Sequence, residues 1–183
     1  MNGSGANVAG CANCAGNCCR TYKVEVTVAD VRRLAAGTSL HPTDFIRLMD
    51  DEDGFRLGPG GPGKALFLIR RPESGACVFL MELAPGKARC GVYAHRPLVC
   101  SNFPTILRRN AVDIRQDVVC GPDSWNLAAM DVTTYRQDLT RNRAAWREHR
   151  EIVETWNETI DAKGRKASHQ ELFDYFLDGR VEG

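Results

Sequence analysis

A chain of 183 residues that is 43% hydrophobic and 26% charged has the composition of a protein that folds around a core, not of a disordered one. Its formal net charge of +1 excludes a surface built for non-specific nucleic-acid binding, which needs a concentrated basic field. The length suits a single domain.

Residues 1–10, MNGSGANVAG, read as a flexible leader, without the basic region and apolar run of a secretory signal. With no apolar stretch long enough to cross a bilayer, the expected location is the cytoplasm, away from membranes. Next comes CANCAGNCCR, with Cys11, Cys14, Cys18 and Cys19 inside nine residues. The alternation in 22–27 predicts a short strand. Thr27 then caps a helix through Ala36, with Asp30 completing a capping box and Gly37 as the stop. A second helix is expected over Thr43 to Met49, burying Phe45, Ile46 and Leu48 or Met49.

DGFRLGPGGPG, residues 53–63, is too rich in Gly and Pro for a regular element. Gly58 to Lys64 matches a phosphate-binding loop only nominally. Ala65 replaces the hydroxyl residue, two prolines remove amide donors, and an apolar strand follows where a helix is required. The runs 65–70 and 76–81 around Pro72–Gly75 predict strand, turn and strand, and 105–109 with 111–119 predict a hairpin about Asn110. From Leu127 to Ile160, Tyr135, Leu139, Trp146, Val153, Trp156 and Ile160 recur at helical spacing, so one long amphipathic helix or two joined end to end is expected. A last helix fits Ser168 to Leu177, with Ser168 and Glu171 as its box. The fold class is α+β: a small antiparallel sheet and loops around a cysteine–metal centre in 11–123, with 124–183 as a helical extension packed on it.

Four further cysteines, Cys77, Cys90, Cys100 and Cys120, fall at the ends of the predicted strands and turns. In a reducing compartment disulfides are rare, and dense thiols point to metal or redox chemistry. Thiolates suit soft and borderline metals, and a Cys-x-x-Cys turn delivers two of them to one ion or cluster. In an extended segment the adjacent Cys18 and Cys19 would point to opposite sides, serving neighbouring sites or dividing into one ligand and one packing thiol. Taken singly, Cys77 and Cys120 could as well be small buried hydrophobes. Arg96 is placed to offset thiolate charge and Pro97 to steer Cys100, with a surface arginine and a turn proline as the plain alternatives. His95 reads as a residue behind the ligands or at the surface, and His41, His149 and His169 as structural.

The opening cluster, Cys77-Val-Phe-Leu80, Cys90-Gly-Val-Tyr-Ala-His-Arg-Pro-Leu-Val-Cys-Ser-Asn-Phe-Pro104 and Cys120-Gly-Pro together resemble the YkgJ-type cysteine-cluster family. That family is described as a zinc- or iron-chelating domain of CxxCxxCC type and also occurs within flagellin lysine N-methylases. The resemblance spans Cys11 to Pro122 and implies that Cys11, Cys14, Cys18, Cys19, Cys77, Cys90 and Cys100 are metal ligands, with Cys120 a further candidate. This chain departs from the pattern by one residue, reading CxxCxxxCC. The expected function is a metal-binding protein holding zinc or an iron–sulfur cluster. The alternative is a metal-dependent enzyme, such as a protein lysine N-methyltransferase or a redox enzyme. No glycine-rich cofactor fingerprint and no nucleophile with an evident base occurs, so no catalytic residue is assigned. The C-terminal helices offer a surface for a protein partner.

Overall fold

The computed structural model describes residues 14–120 and 124–178; the leader and Cys11 lie outside the described residues. The helices in chain order are α1 (Asn17–Thr21), α2 (Val28–Thr38), α3 (Leu98–Asn102), α4 (Val132–Lys163) and α5 (His169–Asp178). The strands are β1 (Ile46–Asp50), β2 (Lys64–Leu68), β3 (Leu80–Ala84), β4 (Lys87–Cys90), β5 (Thr105–Arg108) and β6 (Ala111–Ile114). Among the described residues the strands form three antiparallel pairs, β1–β2, β3–β4 and β5–β6, which with the helices make the mixed α+β architecture expected. No helix among them is long and apolar enough to cross a membrane.

The chain divides into two compact units, each built from two separate stretches: 14–22 with Arg70–Arg143, and Lys23–Ile69 with 144–178. All seven described cysteines belong to the first.

In the second unit, 23–26 runs extended against β2 through a single bridge, Glu25 to Phe67, so the strand expected there is reduced to one pairing. The cap of α2 is as expected. Thr27 Oγ1 accepts the Asp30 N–H at 3.2 Å, and Asp30 Oδ2 accepts the Thr27 N–H at 3.1 Å. The helix runs through Gly37 and stops instead at Ser39, whose φ of 58° and N–H to Ala35 carbonyl close it. The helix expected over 43–49 is not formed. A 3-10 turn, Pro42–Asp44, leads into β1, whose five residues pair with β2 from Ile46↔Leu68 to Asp50↔Lys64. A helix that short is marginal by itself, whereas the antiparallel ladder satisfies the backbone and still buries Phe45 and Ile46.

α4 is one continuous helix of 32 residues, preceded by a 3-10 turn at Leu127–Ala129, so it starts later than the periodicity suggests. Its C-terminal part supplies Trp156 and Ile160 to the second unit's core beside Leu34, Phe45, Phe55, Leu66, Leu172 and Phe176, all fully buried. Trp156 Nε1–H donates to the Arg56 carbonyl at 2.7 Å. α5 carries the expected box, with Glu171 N–H on Ser168 Oγ at 3.1 Å and Ser168 N–H on Glu171 Oε2 at 2.8 Å.

In the first unit the Pro72–Gly75 turn closes through Arg71 N–H to the Ala76 carbonyl at 2.7 Å and an isolated Arg70↔Cys77 bridge. The two runs flanking it do not go on to pair with each other: β2 ladders with β1, and β3 with β4. The β5–β6 hairpin forms about Arg109 and Asn110, with φ 47° and 67°, the positive pair of a type I′ turn. Val112, Met130, Tyr135 and Leu139 make one small core here, and Ala76, Leu80 and Ala88 another, with Cys19 packed on it.

Candidate metal centre

The spacer between Cys14 and Cys18 turns at Gly16, which has φ 78° and caps α1. A Cβ on Gly16 would meet Leu80 Cδ1 at 2.6 Å, so the left-handed conformation favours glycine and a larger residue would have to displace the Leu80 side chain. The Gly16 N–H donates to Cys14 Sγ at 3.2 Å, and the Cys14 carbonyl accepts the Ala88 N–H of β4 at 3.0 Å. The chain then winds into α1 instead of running extended. In this helical turn Cys18 Sγ and Cys19 Sγ lie 3.9 Å apart, not on opposite sides. Zinc–sulfur bonds of about 2.3 Å put tetrahedral ligand sulfurs about 3.8 Å apart, so the adjacent pair has the separation of two ligands to one ion.

The later cysteines reach this turn from three directions. Cys77 follows the Pro72–Gly75 turn and donates its backbone N–H to the Cys19 carbonyl at 2.8 Å. Cys90 ends β4 opposite Leu80. Cys100 sits on α3, which Pro97 opens, and its N–H returns to the Pro97 carbonyl at 2.9 Å.

Their thiols sense one another's charge. The hydrogen bond from the Cys19 thiol lowers Cys18 to about 7 against burial, and Arg96 helps hold it there. Cys19, the donor, is pushed up by that same bond, then by burial and by Cys18, Cys77 and Cys100. Burial raises Cys100 well above the ordinary thiol value, and Cys77, Cys18 and Cys90 add to it. Cys77 and Cys90 are likewise raised, by burial first. Cys19, Cys77, Cys90 and Cys100 resist ionising because they are desolvated and crowded by other thiols, a condition that a bound cation relieves.

Cys120 is raised by burial first and senses Cys14 and Cys18, while the Trp125 indole N–H lowers it. That N–H nevertheless forms no hydrogen bond of regular geometry with the sulfur. Among the described residues no group of three or more His, Cys, Asp or Glu side chains is drawn together in metal-holding geometry. The seven thiols are all free; they are neighbours, with one pair at ligand spacing. Their chemistry fits zinc or iron, and no residue among them is a hard oxygen ligand.

Three arginines accompany the thiols. Arg96 lowers Cys18, Cys90 and Cys100 and stacks on Tyr93 with its guanidinium 4.0 Å from the ring centre. Arg70 and Arg71 lower Cys77, and nothing in the sequence sets either arginine apart. Arg70 donates to the Tyr22 carbonyl at 2.5 Å and to the Arg20 carbonyl, the C-terminal end of α1. Arg71 Nη2 donates to the Val78 and Leu80 carbonyls at 2.9 and 2.7 Å. The neighbouring pair thereby grips the segment carrying Cys18 and Cys19 and the one following Cys77. His95 is half-buried in a 3-10 turn at Tyr93–His95.

Comparison with curated proteins and with solved structures finds no match. A protein-family model does match, over residues 10–121: CxxCxxCC, described as "Putative zinc- or iron-chelating domain". The match takes in all eight cysteines and more than half of the chain, and the chain therefore belongs to the CxxCxxCC family of zinc- or iron-chelating domains.

Proposed function

We propose that the chain is a cytoplasmic metal-binding protein that holds zinc or an iron–sulfur cluster on the thiolates of Cys11, Cys14, Cys18, Cys19, Cys77, Cys90, Cys100 and Cys120. The observation that carries this reading is the gathering of Cys18, Cys19, Cys77, Cys90 and Cys100, from four separate segments, into mutual electrostatic contact, with Cys18 and Cys19 at 3.9 Å. Packing has no need of so many thiols in one place, and burying them together raises their ionisation cost unless a cation is present. When bound, such an ion or cluster supplies positive charge and cross-links segments that are far apart in sequence. Eight thiols exceed the four of one tetrahedral site, which favours a multinuclear cluster or more than one ion.

Anaerobic purification followed by metal and acid-labile sulfide analysis with an absorption spectrum tests the proposal. Sulfide with iron and broad visible absorbance identifies an iron–sulfur cluster, and a colourless protein with zinc identifies zinc thiolates. Fully folded protein containing neither, and taking up neither on reconstitution, overturns it.

A further inference from the structure

The exposed side of α4 within the second unit carries its charges in a segregated order. Arg147 and Arg150 come first, Glu154 and Glu158 follow, and all four side chains are exposed. Spacings of three, four and four residues keep them on one stripe of the helix, with Glu151 at its edge. The acids adjoining the stripe are engaged by other elements: Glu148 by Arg32 of α2 at 3.4 Å, and Asp161 by Arg56 at 2.5 Å. Among the described residues no ion pair or side-chain hydrogen bond engages Arg147, Arg150, Glu154 or Glu158. Nor does the order serve the helix itself. Arg147 with Glu151 and Arg150 with Glu154 are four apart with the base first, the weaker orientation of such a pair.

A stripe that is basic at one end and acidic at the other is complementary to itself when turned end for end. With two copies of α4 laid antiparallel, Arg150 of each meets Glu154 of the other and Arg147 meets Glu158. The midpoints of these two pairings fall within one residue of each other, near residue 152, so a single two-fold axis satisfies both. At 1.5 Å of rise per residue, Arg150 lies about 3 Å along the helix from that axis and Arg147 about 8 Å. A parallel pairing would set base against base and acid against acid. We propose that this stripe is the contact of a homodimer, in which a second copy of the chain docks antiparallel on α4 through the symmetric pairs Arg147–Glu158 and Arg150–Glu154. The stripe has no apolar side chain, and exposed ion pairs contribute little singly and are screened by salt. The association is therefore weak, reversible and governed by ionic strength, and it makes no use of the thiols.

Sedimentation velocity of the full chain, purified and kept anaerobic so that no disulfide joins two copies, tests the proposal. A monomer–dimer equilibrium in about 20 mM NaCl that weakens at least tenfold in about 300 mM is expected. Arg147→Glu with Arg150→Glu, and Glu154→Arg with Glu158→Arg, each leave a stripe of one sign, and each double variant should be monomeric. Mixed together the two should associate, and the chain carrying all four substitutions, whose order is reversed but still segregated, should dimerise like the unaltered one. Thermal midpoints confirm that the variants keep the fold. A chain that stays monomeric at every concentration in low salt overturns the proposal. So does a dimer that neither double substitution weakens, or a pair of double variants that fail to associate on mixing.

Discussion

Single residues near the thiols separate positioning from ligation. Arg70 touches no sulfur in its hydrogen bonds, yet it holds two carbonyls at the end of the turn bearing Cys18 and Cys19. Arg70→Ala is expected to lower metal affinity at least tenfold, about 1.4 kcal/mol, in competition with a chromophoric chelator. Arg70→Lys keeps the charge without the forked geometry and falls between; equal affinity in all three proteins removes the role assigned to Arg70. In the second unit, His149 is 7% exposed between Phe55 and Trp146, its Nδ1 accepting the Val28 N–H at 3.2 Å. Burial lowers its pKa from 6.5 to about 4; Arg150 works in the same direction, with Asp30 and Asp51 opposing. The unfolded chain therefore takes up the proton first. Stability is unaffected above pH 6.5 and falls between about 6.5 and about 4, in full by on the order of 3 kcal/mol. His149→Leu should remove that component from urea midpoints at pH 7 and pH 5, while losing about 1–3 kcal/mol at both through the orphaned Val28 N–H. A pH dependence unchanged by the substitution contradicts the assignment. The sequence marks His149 as structural without naming its partner, and it gives Arg70 no role. The family is legible because the cysteine spacing is itself the signal.

At the scale of elements, what the sequence reveals is what is local. The Thr27–Asp30 and Ser168–Glu171 boxes and the hairpin at Asn110 depend on residues within a few positions of one another, and all three form. Pairing between distant strands left no such mark: Ile46–Asp50 reads equally well as a helix until Lys64–Leu68 is available to ladder with it. The same limit hid the β3–β4 pairing, since apolar runs at 65–70 and 76–81 suggest each other as partners. The β5–β6 turn holds Arg109 and Asn110 in the left-handed region, which Asn and Gly tolerate and β-branched residues do not. Asn110→Val is expected to lower stability by about 1–3 kcal/mol and Asn110→Gly to leave it level or improve it, as read by thermal midpoint. Equal midpoints for Val and Gly would mean that the turn is not held in this geometry.

For the whole molecule, burial is unevenly divided. Of the twelve largest side chains fully buried among the described residues, only Leu80 lies in the first unit. The second unit has a core able to sustain it, whereas the first has two small clusters and the thiols. Structural zinc contributes about 10–16 kcal/mol to the folding of small thiolate domains, and the first unit is expected to depend on a contribution of that kind. Stripping the metal with a strong chelator should erase amide-exchange protection in β3–β6 while α2, β1, β2 and α5 keep theirs. Protection retained in β3–β6 by metal-free protein would refute that dependence.

The interleaving of the two units has a consequence for biosynthesis. Cys19 leaves the ribosome 81 residues before Cys100, an interval of about 4–16 s at ~5–20 residues per second. Between them the chain delivers the whole of the second unit's first stretch, Lys23–Ile69, while that unit's completion waits for residues beyond 143. The opening thiols are thus translated before Cys77, Cys90, Cys100 and Cys120 and have only one another to share a metal with in that interval. On the function proposed above, the full ligand set is complete only after Cys120 emerges, and until then the nascent chain carries a row of sulfurs that a reducing environment protects from cross-linking.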